Sequence, residues 1–278
     1  MSAALWRRMQ QRLDEMCAAY PGVIGVHVCD LATGTEFGVN SNARFPTAST
    51  IKMHVLAKFM QLAEAGELDL DETVQVQGGG DGVSGSGILY YLADPVELTW
   101  RNVAVMMIGL SDNTATNLCI DRCGIDAVNA MLDTLGLPDT RLMRRMIDQP
   151  AAQADRDNYS TPRELVAFLR LLRGGQPSAQ SAAATLEMLK LPKNDLLRRA
   201  INNDTPIANK PGQVPGAWCD AGLVLLPRRP YAVALMTAYD HSHDEAPAVA
   251  VLRAIHADFD LLDRSNVVGH TVYGTTLT

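Results

Sequence analysis

"FPTASTIKMHVLAKF", residues 45–59, follows a strand-like opening and begins a long apolar-periodic run. From Thr50 to Ala65 the apolar residues Ile51, Val55, Leu56, Phe59 and Leu62 share one helical face, and Gly66 stops the pattern. Ser49 and Lys52 stand three positions apart at the start of this helix, which brings a hydroxyl and an amine to the same side, within hydrogen-bond reach. Alone, the string also describes a capped helix start followed by a solvated lysine. What precedes and follows it decides between these readings.

Upstream, Leu5, Met9, Leu13 and Met16 recur at helical spacing. Alternating apolar and polar residues around "TGT" then predict a β-hairpin, Val23 to Asp30 and Glu36 to Asn40. Downstream the chain is helical: 98–110 with Thr99 as N-cap, 113–122 ended by Gly124, 127–135 ended by Gly136, a loop-like stretch 138–159, and "STPRELVAFLRLLRGG" with a cap and a first-turn proline. Two short helical segments, 182–189 and 196–201, come next. Three short β-like runs separated by Pro and Gly follow, then a closing helix, 246–262.

A hairpin at the front and strands at the back form one sheet only if the ends of the chain meet. The expected architecture is therefore α/β plus all-α: an antiparallel sheet flanked by N- and C-terminal helices (1–46 and 192–278), with a helical domain (47–191) inserted. An active cleft is expected at such a junction.

Composition narrows the partners. The 278 residues are 47% hydrophobic and 20% charged, with a net charge of -7. Basic residues are scattered, with no stripe interleaved with aromatics, which argues against nucleic acid. No apolar run approaches the ~20 residues of a membrane span, and no signal-peptide pattern stands at the N-terminus. As written the chain reads as cytoplasmic, and as periplasmic or secreted if a leader has been removed. Five cysteines are an odd number and suggest no disulfide framework. Cys119 and Cys123, at i and i+4 of a helix, have no His or Cys pair nearby to complete a metal site and read as core residues. No metal or cofactor is expected. A small-molecule substrate is expected, and no obligate protein partner is implied.

Three short strings carry the chemistry. A lysine with the usual pKa near 10.4 is a poor base, but burial disfavours its charged form, which lets Lys52 accept the Ser49 proton. Ser49 at a helix N-terminus also places backbone N–H groups beside a developing oxyanion. Ser111-Asp112-Asn113 lies in a turn between helices: the Ser111 hydroxyl can relay a proton to a leaving nitrogen, and the Asn113 amide can hold a substrate carbonyl and the lysine, although a helix cap has the same form. Lys210-Pro211-Gly212 lies on the first strand of the C-terminal block, where a cation attracts a substrate carboxylate and an edge strand docks the substrate.

In this order the strings match the S-x-x-K, S-D-N and K-T-G signature of class A β-lactamases and penicillin-binding proteins. The chain carries "STIK", "SDN" and "KPG", with Ser49 to Ser111 spanning 62 residues and Ser111 to Lys210 spanning 99. The flanks "FPTASTIKMHVLAKF", "LTWRNVAVMMIGLSDNTATNLCIDRCG", "NYSTPRELVAFLRLL" and "NKPGQVPGAWCDAGLVLL" resemble the class A family too, over about residues 20–262. The resemblance implies that Ser49 is the acylated nucleophile and Lys52 its base. It further implies that Ser111 protonates the leaving group, Asn113 binds the substrate side chain, and Lys210 and Gly212 belong to the carboxylate-binding strand. The oxyanion hole would be the N–H groups of Ser49 and Gln213.

The pattern departs in three places. The loop "TRLMRRMIDQPAAQADRDNYSTP" contains no glutamate where class A enzymes use an E-x-x-L-N string to activate the deacylating water. The nearest carboxylate by spacing is Asp148, 37 residues after Ser111; it can also brace Arg144 or Arg145. Pro211 replaces the family threonine, and Leu56 and Ala104 occupy the regions of the usual disulfide. Acylation machinery looks complete and deacylation machinery impaired, as in a divergent β-lactamase-related serine hydrolase. The expected function is hydrolysis of β-lactam amides, weakly, and of small esters through an acyl-enzyme on Ser49. The alternative is a penicillin- or peptidoglycan-fragment-binding protein that acylates without turnover. "DHSHDE" (240–245) reads as a surface loop, and His54, five residues after Ser49, points away from it.

Overall fold

Period-two apolar patterns and three-to-four spacings build two separate cores. The computed structural model describes residues 3–77, 82–201, 203–242 and 244–274. In chain order the elements are α1 (Ala3–Ala18), β1 (Val23–Asp30), β2 (Glu36–Val39), β3 (Phe45–Pro46), α2 (Lys52–Glu64), β4 (Thr73–Val76), β5 (Val96–Thr99), α3 (Trp100–Gly109), α4 (Asn113–Cys123), α5 (Ile125–Thr134), α6 (Gln149–Gln153), β6 (Tyr159–Ser160), α7 (Pro162–Arg173), α8 (Ala179–Leu189), α9 (Leu196–Ala200), β7 (Ile207–Val214), β8 (Ala217–Val224), β9 (Tyr231–Ala238) and α10 (Ala246–Arg264).

The chain divides into two compact units. One comprises Met1–Phe45, Thr161–Leu169 and Asn194–Thr278; the other comprises Pro46–Ser160 and Arg170–Lys193. Thr161–Leu169, placed by the sequence reading in the helical part, counts with the sheet unit.

The sheet unit holds five strands in the order β2-β1-β9-β8-β7, and each neighbouring pair is antiparallel. The first and last thirds of the chain meet where β1 pairs with β9, Val26 opposite Leu235 and Val28 opposite Val233. Those four side chains alternate onto one face and join Met9 and Leu13 of α1 with Leu252, Ile255 and Phe259 of α10 in a single core. The Tyr231 ring stacks on Phe259 with centroids 4.2 Å apart. Such a pair adds about 0.5–1.5 kcal/mol beyond its buried area.

The helical unit is organised around α2, whose residues Met53, Val55, Leu56, Ala57, Phe59 and Met60 are all buried. A helix buried on nearly every side belongs at the centre of its unit, and α2 touches α3, α4, α5 and α8. Gly66, with φ 74°, ends it in the left-handed conformation that glycine adopts without strain. Two features escaped the sequence reading. Thr73–Val76 pairs with Val96–Thr99 as an antiparallel ribbon, and the loop-like stretch 138–159 contains the short helix α6. The expected cap of α3 is present, the Thr99 side chain accepting from the Asn102 N–H. Among the described residues no helix is long and apolar enough to cross a membrane.

Candidate active site

Ser49 does not cap a helix. It lies in a 3₁₀ turn, Ala48–Ile51, ahead of α2, and neither Thr47 nor Ile51 supplies a side-chain cap. Thr47 anchors the turn through its N–H and hydroxyl, 3.0 and 3.2 Å from the Asn158 carbonyl. The Thr50 hydroxyl donates to the Thr47 carbonyl at 2.7 Å. Ala48 has φ 45°, a conformation that costs an L-residue about 1–2 kcal/mol. The backbone turns sharply at Ala48 and leaves Ser49 half-buried, while Thr50, Ile51 and Lys52 are fully buried.

Lys52, the first residue of α2, has no exposed surface. A buried amine needs partners, and those of the Lys52 amine include the Ser111 carbonyl at 2.7 Å, the Ser111 hydroxyl at 3.1 Å and the Asn113 Oδ1 at 3.0 Å. The Lys52 N–H also donates to the carbonyls of Ser49 and Thr50. The Lys52 amine and the S-D-N turn thus form one local constellation on the helical unit, and Ser49 stands three positions before that lysine in the turn that leads into α2.

The S-D-N turn is itself strained and braced. Ser111 has φ 54°, which turns its carbonyl toward Lys52. Asp112, 1% exposed, holds the turn from below. Its Oδ1 caps α4 by accepting from the Ala115 N–H at 3.0 Å, and its Oδ2 accepts from the Ile88 and Leu89 N–H groups at 2.7 and 2.9 Å. Asn113 divides its amide: Oδ1 accepts from Lys52, and Nδ2 donates to the Ser84 carbonyl at 2.8 Å. One Nδ2 hydrogen is left over from that bond for another acceptor.

Asn117 lies one turn beyond Asn113, on the same face of α4. It clamps the loop backbone, Nδ2 donating to the Met146 carbonyl at 3.2 Å and Oδ1 accepting from the Met146 N–H at 2.8 Å. The loop residue fastened beside the constellation is therefore an apolar one. Asp148 serves as N-cap of α6, its Oδ1 accepting from the Ala151 N–H at 3.0 Å. It does not brace the arginines: Arg144 pairs with Asp157 at 2.8 Å and Arg145 with Asp121 at 2.7 Å. Asn158 completes the loop base, its Oδ1 accepting from Met143 and Arg144 N–H at 2.7 and 3.0 Å.

On the sheet unit, Lys210, Gly212 and Gln213 lie in β7, an edge strand of the five. Lys210 is fully buried, and its amine donates to the Pro211 carbonyl at 2.9 Å. Pro211 sits opposite Asp220 of β8. Burial, then the charge of Asp195, push the Asp220 carboxyl up to about 7, and Lys210 works in the opposite direction. Asp220 accepts from the Leu197 N–H at 3.0 Å and from Asn209 Nδ2 at 2.9 Å, which fixes the strand that carries Lys210.

Other candidates recede. His54 is wholly buried in α2, and burial lowers its imidazole to about 3. Cys119 and Cys123 are buried core thiols, their pKa values raised by desolvation. Among the described residues no cluster of His, Cys, Asp and Glu could hold a metal. Position 243 of "DHSHDE" and positions 78–81, the start of the glycine-rich stretch "GGGDGVSGSG" (78–87), lie outside the described residues.

The sequence reading missed Asn117 and Asn158, which hold the site by bonding to backbone; for Asp112 it offered the helix cap that the structure shows, but not the bonds to the Ile88 and Leu89 N–H groups. Only Asp112 had a local signal, as the residue just before α4.

The pattern of the β-lactamase enzyme family matches residues 8–259. The β-lactamase CARB-3 of Pseudomonas aeruginosa is 24% identical over 98% of this chain and 91% of its own length. Among solved structures, the β-lactamase of Sphaerobacter thermophilus superposes with a TM-score of 0.82 at 30% identity, over 92% of this chain and 98% of that one. PBP-A superposes with a TM-score of 0.80 at 27% identity, over 91% and 96%, and a point mutant of PBP-A was solved as its acyl-enzyme complex with penicillin G. With the Lys52, Ser111 and Asn113 cluster in place and the match running through nearly the whole chain, the protein belongs to the β-lactamase enzyme family, on its class A side.

Proposed function

We propose that the protein forms an acyl-enzyme on Ser49 with β-lactam amides and small esters, and that it releases the acyl group slowly. The observation that carries this reading is the amine of Lys52, buried one turn after Ser49 and hydrogen-bonded to both Ser111 and Asn113. The Ser49 hydroxyl attacks the substrate carbonyl, forming a C–O bond, as the neutral Lys52 amine takes its proton. The tetrahedral intermediate collapses with cleavage of the C–N bond. Ser111 delivers its hydroxyl proton to the leaving nitrogen and regains one from Lys52.

Asn113 contributes its remaining amide hydrogen to the substrate side chain. Lys210 and Gly212 contribute to carboxylate binding, and the N–H groups of Ser49 and Gln213 to the oxyanion hole. Pro211 lacks the family hydroxyl, so carboxylate binding relies on Lys210.

Slow release is favoured by a specific observation. The residue clamped beside α4 is Met146, which has no oxygen to activate water, and one oxygen of Asp148 is engaged in capping α6. A receptor that stays acylated is the limiting case of the same chemistry. Intact-mass spectrometry after mixing with penicillin G tests the reading: a Ser49 adduct in the parent and none in Ser49→Ala is expected. Adduct formation or turnover retained at the parent rate in Ser49→Ala refutes it.

A further inference from the structure

Ile147 breaks the local rules of backbone and burial together. It is β-branched, yet its φ is 59°, a region such residues rarely enter. It is also 45% exposed, so folding recovers little by burying it. Its neighbours hold it there: Met146 is clamped through both backbone groups by Asn117, and Asp148 is tied to the start of α6.

The conformation aims the side chain at the site. At Gly85, where φ is 94°, a Cβ would stand 3.7 Å from the Ile147 Cδ1 and 2.9 Å from the Asn113 Nδ2. The terminal methyl of Ile147 and the amide of Asn113 therefore border the same small space, kept open by a glycine. The other end of that amide holds Lys52 at 3.0 Å.

We infer that Ile147 is a specificity-determining contact, an apolar surface beside the Asn113 amide against which the acyl side chain of the substrate packs. It favours acyl donors with an aryl or branched-alkyl group next to the reacting carbonyl over those with a small one. Strain at an exposed residue, locked by its neighbours and directed at a binding group, is what a ligand contact requires and a folding contact does not. This inference rests on the acylation reading above.

The test compares burst acylation by p-nitrophenyl phenylacetate and p-nitrophenyl acetate, which differ in a phenyl group on the acyl side. Loss of an apolar contact of this size is expected to lower the phenylacetyl-to-acetyl ratio of acylation rate constants about 10-fold in Ile147→Gly. Ile147→Asn, which also tolerates the left-handed conformation, gives the same loss and guards against a loop loosened by glycine. A parent that forms no Ser49 adduct with either ester overturns the acylation reading and this inference with it. A parent that acylates while both variants keep its ratio, whether or not both rates fall together, overturns the Ile147 contact alone.

Discussion

Replacing His54 by glutamine should flatten the loss of stability in acid without touching acylation. The imidazole is fully buried on the helix that follows Ser49, and burial lowers it from 6.5 to about 3, a backbone hydrogen bond at Ile51 opposing the shift. In the unfolded chain it takes up a proton below its ordinary value, while in the folded chain it stays neutral. The folded pKa is depressed, so the contribution to stability is complete above 6.5 and is lost as pH falls toward 3. Each unit is worth about 1.4 kcal/mol. At pH 5, one and a half units below the unfolded value, the loss is about 2 kcal/mol, with a ceiling of about 5 kcal/mol below pH 3. Urea melts of parent and His54→Gln at pH 8 and pH 5 isolate this group, because the remaining titrations cancel in the difference. The parent should lose about 2 kcal/mol more than the variant, and the two should acylate within twofold of one another at pH 7. Equal losses would show that the imidazole is not held neutral. Abolished acylation would make His54, and not Lys52, the base that serves Ser49.

Two further substitutions probe the brace and the water. Asp112→Ala strips the acceptor from three N–H groups, those of Ala115, Ile88 and Leu89. At about 1–1.5 kcal/mol each it should cost roughly 4 kcal/mol by chemical denaturation, and slow acylation by releasing Ser111 and Asn113; a cost under about 1 kcal/mol would refute the bracing role. Asp148→Asn keeps a good N-cap, so Tm should hold while any water activation by the carboxylate is lost. Recovery of free protein after a penicillin G pulse should then slow, and recovery at the parent rate leaves Asp148 as a cap alone.

Legibility followed the range of the interactions. Ser49 and Lys52 could be singled out from the string alone because their three-residue spacing is a local property; the structure replaces the expected helix start at Ser49 by a 3₁₀ turn that leads into α2. The S-D-N turn was readable as a string, but that its carbonyl and hydroxyl reach an amine 59 positions away depends on α2 and α4 packing together. Asp148 was offered by spacing as a water activator or a partner of Arg144 or Arg145; the structure gives the arginines to Asp157 and Asp121 and shows the α6 backbone taking one of its oxygens, which no spacing announced. Thr73–Val76 was passed over because four residues of alternation carry meaning only once Val96–Thr99 lies beside them.

By itself the sequence determined the order of the elements, the strings that carry chemistry and the absence of a glutamate from the loop after the S-D-N turn, since periodicity, caps and residue identity are local properties. Only the tertiary structure decided that β1 lies beside β9, that Lys52 is buried against Ser111 and Asn113, and that Met146 is the loop residue Asn117 holds. These facts come from partners distant in the chain, chosen by which buried polar groups must be satisfied, and no window of sequence contains both members of such a pair.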